Sequence, residues 1–155
     1  MADELTDEQQ NAAHRWFAIQ CNNQCWALTT TQRSAEQDAE MLHAAHAAAF
    51  HWSFAGETIH HMRAEQLLAH VHALLGMSGT ALKYARACHR FFTAQETPDW
   101  ELAFTHAMLA QAAAVAGETD LHGSAYADAI AAIEVIADAD DRAIVEETFA
   151  LVPAP

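Results

Sequence analysis

Two segments of this chain repeat one pattern about forty residues apart. The first copy is Leu67, Leu68, Ala69, Val71, Ala73, Leu74, Leu75, Gly76, then Ala81, Tyr84, Ala85 and Cys88. The second is Leu109, Ala110, Ala112, Ala114, Val115, Ala116, Gly117, then Ala125, Tyr126, Ala127 and Ile130. Gly76 and Gly117 are 41 residues apart, and Tyr84 and Tyr126 are 42 apart. Each copy is an apolar helix that stops at glycine and is followed by a second Ala/Tyr helix. A repeat at this spacing implies stacked helix pairs, because one pair cannot bury its apolar face alone.

Periodicity places seven helices, at about 7–28, 34–55, 58–75, 79–94, 98–116, 121–137 and 141–150, with no sheet. The fold class is therefore all-α, a single domain over 1–155 built from stacked antiparallel pairs. Residues 7–56 form an N-terminal pair, 58–95 and 98–137 form the two repeat pairs, and 140–150 cap the array. Thr6 starts the first helix, Ser34 with Gln37 forms a capping box for the second, and Thr97 caps the fifth with Pro98 at its first position. Thr29-Thr30-Thr31 forms the first connection, and Pro153-Ala154-Pro155 is a frayed end.

Two helices are apolar around nearly their whole circumference, which predicts burial between neighbours. One is the fifth, with Leu102, Phe104, Met108, Leu109, Val115 and many alanines. The other is the second, with one stripe of Ala47, Phe50 and Phe54 and another of Met41, Ala45, Ala48 and Trp52. The first helix carries Ala12, Trp16, Ile19 and Trp26 on one side and Ala13, Phe17, Cys21 and Leu28 on the other. The tryptophans are expected as core anchors, although an exposed one such as Trp26 would mark an interface.

The net charge of −14 argues against nucleic acid and anionic membranes as partners, since both are polyanions. No apolar run reaches the roughly 20 residues of a membrane span. The acidic first residues lack the plan of a signal peptide. The odd set Cys21, Cys25 and Cys88 fits buried free thiols in a reducing cytoplasm.

The hairpin around Gly76 resembles a tetratricopeptide repeat. Leu68-Ala69 stands at the family's Leu-Gly pair, Gly76 at the end of the first helix, and Ala81, Ala85 and Cys88 at the small and aromatic positions of the second. Around Gly117 the match is looser: Glu118–Ser124 reads as a longer turn, so Ala125 comes eight positions after the glycine. The spacing also exceeds the family's period of about 34 residues, making these degenerate repeats over roughly residues 58–137. This resemblance implies a non-catalytic adaptor or scaffold that binds a protein or peptide, with no cofactor.

Three groups of residues are candidates for function. The first is basic: Lys83, Arg86 and Arg90 share the polar face of the fourth helix, and with Arg63 and His70 they would form a docking surface for an acidic peptide. A homodimer is a second way for an acidic chain to complement that patch. The second group is Glu40, His43 and His46. Glu-x-x-His is a spacing used by metal sites in helical bundles, so a divalent metal site or a metal-dependent hydrolase is the alternative reading. Its simpler explanation is a core or boundary histidine beside Phe50 and Phe54. The third is the set of 11 histidines, which makes the chain's charge sensitive to pH between about 5 and 7. A small-ligand pocket between helices is a further possibility. Phosphate loops, nucleophile elbows and HExxH are absent from the sequence.

Overall fold

The computed structural model describes residues 4–155. They form seven α-helices and no strand: α1 (Asp7–Thr29), α2 (Ala35–Ala55), α3 (Thr58–Leu74), α4 (Ser78–Thr93), α5 (Asp99–Ala116), α6 (Thr119–Glu134) and α7 (Ala139–Phe149). The chain divides into two compact units, 1–67 and 68–155, with the division inside α3. Among the described residues, no helix is long and apolar enough to cross a membrane.

Local sequence explains most helix boundaries. Thr6 and Gln9 form a capping box on α1, with Gln9 N–H donating to Thr6 Oγ1 at 3.2 Å and Thr6 N–H to Gln9 Oε1 at 2.9 Å. Ser34 and Gln37 repeat this arrangement on α2, as predicted. The expected Thr97 cap on α5 is not formed. Pro98 takes the N-cap position, and the Thr97 hydroxyl donates back to the Phe92 carbonyl at 2.6 Å. α7 begins before residue 141 because the Asp138 side chain accepts from the backbone N–H groups of Asp140 and Asp141.

The two repeat glycines close matching turns. Gly76 has φ +72° and Gly117 φ +73°, in the left-handed region where a side chain is strained. Met77 N–H reaches the His72 carbonyl at 2.8 Å, and Glu118 N–H reaches the Ala113 carbonyl at 3.0 Å. Gly76 and Gly117 themselves donate to Ala73 and Ala114, each at 3.1 Å. These are two Schellman turns with the same bonds. The longer turn expected after Gly117 is thus corrected: α6 starts at Thr119, two residues past the glycine, as α4 does at Ser78. The offset of Ala125 lies inside α6 and not in the turn.

In the second unit, Ala69 and Ala73 of α3 pack with Ala81, Leu82 and Ala85 of α4, and with Leu109, Ala110 and Ala112 of α5 and Ala125 of α6. Small side chains let these helix axes come close. α5 contacts α4, α6 and α7, and is buried around most of its circumference, as its apolar composition predicts. Ala103, Ile133, Ile136 and Val145 build a second cluster with Trp100 and Phe149 beside it. The C-terminal segment is held rather than frayed as far as Pro153: Val152 joins the core, and His122 Nε2 donates to the Pro153 carbonyl at 2.7 Å.

In the first unit, α1 and α2 are an antiparallel pair. The cross-helix contacts run in opposite directions along the two helices: Asn11 meets Phe54 and His14 meets His51 near one end, while Gln24 and Cys25 meet Glu40 and Met41 near the other. The buried seam is Ala18, Cys25 and Thr29 from α1 with Met41, Ala44, Ala45 and Ala48 from α2. Burial pushes the Cys25 thiol up to about 12, so it stays protonated and unreactive. No disulfide joins Cys21, Cys25 and Cys88.

Candidate functional site: an aromatic and histidine face on α1 and α2

The largest departure from sequence expectation is on this first hairpin. Phe50 and Phe54, predicted to be core, are 58% and 57% exposed. Trp16 and Phe17, on α1, are 57% and 46% exposed. The buried stripes of α1 and α2 are filled by small residues and Met41, which leaves no room at the seam for these rings.

The six rings form one connected surface. Trp16 meets Phe17 edge-on at 5.0 Å between centroids, and Phe17 stacks on His51 at 5.3 Å. His14 stacks on Phe54 at 4.4 Å with the planes 16° apart. Phe50 touches both His51 and Phe54, at 5.5 and 5.1 Å. The antiparallel register explains the grouping. His14 and Phe17 lie one turn apart on α1, Phe50 and Phe54 one turn apart on α2, and the pairing of residue 14 with residue 51 brings the two sets together.

At the centre, His14 Nδ1 and His51 Nδ1 are 2.9 Å apart. One ring must donate and the other accept, so the pair excludes double protonation. Partial burial and the neighbouring His14 hold the His51 pKa below the ordinary histidine range. The His51 ring is therefore neutral at neutral pH. Arg15 places its guanidinium 5.8 Å from the Trp52 ring centroid, and His60 stacks on Trp52 at 4.6 Å. His61 Nε2 donates to the Trp52 carbonyl at 3.0 Å.

The residues singled out from sequence fall elsewhere. Lys83, Arg86 and Arg90 are exposed on α4 as expected, but Arg86 is ion-paired with Glu118 Oε2 at 2.5 Å. His70 is not a surface contact: it is fully buried, with Nδ1 donating to Gln111 Oε1 at 2.6 Å. The apolar stripe of α3 is wider than the sequence implies and encloses His70 and His72. Arg63 is exposed and belongs to the first unit.

Glu40 and His43 line a shallow groove with Gln24, Glu36, Ala39, Ala44 and Ala47, and Gln24 donates to the Glu40 carboxylate. His43 is exposed instead of being a core or boundary histidine beside Phe50 and Phe54, and His46 is exposed outside the groove. Among the described residues, no group of three or more His, Cys, Asp or Glu side chains is placed to hold a metal ion.

A second histidine pair lies in the other unit. His89 Nε2 and His106 Nδ1 are 3.3 Å apart, and burial holds both pKa values below the ordinary range, opposed by Asp128.

The aromatic face was visible in the sequence only as two apolar stripes. Its one local signal is charge: no carboxylate occurs between Glu8 and Glu36, and no charged residue between Glu40 and Glu57. Compared with known proteins, the chain matches no family model, no curated protein and no solved structure.

Proposed function

We propose that this chain is a non-catalytic protein-binding module whose contact surface is the aromatic face of α1 and α2. The observation that carries this reading is the connected group Trp16, Phe17, Phe50 and Phe54, each about half exposed. The largest contiguous apolar patch on a monomeric protein is often functional, and aromatic side chains dominate binding energy where such patches are used. The basic face of α4 is a weaker candidate for an acidic peptide, because Arg86 already has a carboxylate partner and His70 is enclosed.

Capture from lysate on the immobilised chain tests the choice. The triple variant Trp16→Ser, Phe50→Ser, Phe54→Ser is expected to lose the captured proteins, while Lys83→Glu with Arg90→Glu retains them. The opposite pattern would overturn the aromatic-face reading in favour of α4. Circular dichroism of each variant establishes that the helices are intact.

A further inference from the structure

We infer that the occupant of the aromatic face is a second copy of this chain, docked through the same face in a two-fold symmetric dimer. This inference rests on the reading of that face as the contact surface and goes further by naming the partner.

Charge makes the first case. Each copy carries 21 acidic against seven basic residues, a net charge of −14, so two copies repel over most possible contacts. The aromatic face is built from segments that escape this. Residues 9–32 contain one charged side chain, Arg15, and residues 41–56 contain none, so no carboxylate lies within either ring-bearing segment. A two-fold contact brings the same patch from both copies together, residue i against j and j against i, so a face without carboxylates meets itself with no acid–acid repulsion. A strongly acidic partner would meet the overall negative charge, and a strongly basic one would find its attraction elsewhere on the surface.

Area makes the second case. A fully buried aromatic side chain covers about 150–250 Å², so four rings about half exposed offer about 400 Å² per copy. Ile19, 37% exposed on α1, adds to it. A symmetric pair then covers about 800 Å² from the rings alone, and the surrounding rim brings the total towards the lower bound of specific interfaces, about 1,200 Å². The expected dimer is therefore weak and concentration-dependent, with micromolar or weaker affinity. It would be drier and better packed at the rings than at its rim.

The His14–His51 pair lies inside this contact. Beside the pair, Arg15 follows His14 on α1 and lies over Trp52, and His60, at the start of α3, stacks on Trp52 next to His51. None of the groups on α1 or α2 is a carboxylate that could stabilise a protonated ring.

Sedimentation velocity of the whole chain at neutral pH, from about 10 to about 500 µM, tests the inference. The expected result is a reversible monomer–dimer equilibrium. Phe54→Asp, which removes a ring and brings a carboxylate from each copy into the apolar contact, should weaken it at least about tenfold, and Lys83→Glu should leave it unchanged. Trp16→Arg is the second variant, for use if Phe54→Asp loses helical signal, and it should weaken the dimer likewise.

A chain that stays monomeric over this range overturns the inference. So does a dimer that survives both face substitutions, because its contact would lie elsewhere. The broader reading fails separately. A monomer that still captures other proteins through the face leaves the binding module standing with a different partner, whereas a monomer whose capture ignores the triple serine variant removes both.

Discussion

α2 and α5 look alike in sequence and behave oppositely in the fold. Each is apolar on nearly every side. α5 has neighbours α4, α6 and α7 and buries eleven of its residues, including Glu101, Thr105 and Gln111. α2 packs its Met41, Ala44, Ala45 and Ala48 seam against α1 and leaves Phe50 and Phe54 exposed. An apolar circumference states what a helix would gain from neighbours. How many neighbours it has depends on the rest of the chain. An apolar face left without one stays exposed, as at Phe50 and Phe54.

The two regions also close their hairpins differently. The α3–α4 and α5–α6 turns use glycine at positive φ, which satisfies the last carbonyls of the helix by backbone bonds. The α1–α2 connection has no glycine. There Arg33 Nη1 donates to the carbonyls of Leu28 and Thr31, at 2.9 and 3.1 Å, while its Nε pairs with Asp38 at 2.7 Å. Arg142 does similar work after α6, with Nη2 donating to the Ile136 carbonyl at 2.7 Å. A side chain thus replaces a backbone conformation in satisfying the helix end.

The largest expected contrast between the two helices is in stability. Met108→Ala in α5, at a side chain 1% exposed, should cost about 2–5 kcal/mol, read by urea denaturation. Phe50→Ala in α2 should cost about 1 kcal/mol or less in the same assay, because the ring is more than half exposed. Equal losses would break the comparison by showing that the Phe50 face is covered within the folded chain.

The turns give a smaller effect. Arg33→Ala removes charged hydrogen bonds from a largely buried side chain and should cost about 2 kcal/mol. Gly76→Ala and Gly117→Ala should each cost about 1–2 kcal/mol from backbone strain alone, since a methyl group at either site meets no other atom within 4 Å. The two glycine values should agree, and a marked difference would show that the matching turns carry unequal loads.

The smallest effect is pH dependence in the second unit. Burial, foremost, depresses the folded pKa of His89 and His106 below the ordinary value of about 6.5. The unfolded chain therefore binds more protons as pH falls through that value. The stability linked to this pair is fully present above about pH 6.5 and is lost as pH falls towards the folded pKa. Melting curves at about pH 7.5 and 5.0 should show a shallower pH dependence for His106→Gln than for the natural chain, whatever the trend contributed by other groups. Equal slopes would remove the pair as a contributor.

Much of this was legible in the sequence, for local reasons. The cap at Thr6, the capping box at Ser34, and the stops at Gly56, Gly76 and Gly117 depend on residues within one turn, so the seven helices and their pairing follow from the chain alone. Other features depend on contacts between distant residues and were decided only by the tertiary structure. Helical spacing on α3 set His70 beside the apolar stripe, but the approach of Gln111, 41 residues away, encloses it. The stripe of Ala47, Phe50 and Phe54 is apolar by its sequence, yet only the seam between α1 and α2 leaves its rings facing outward. Small residues at a helix contact draw the axes together and push the large rings to the flanks. The sequence by itself specified which faces are apolar, because periodicity is a property of one helix. Which of those faces is buried is a property of two or more, and packing alone settled it.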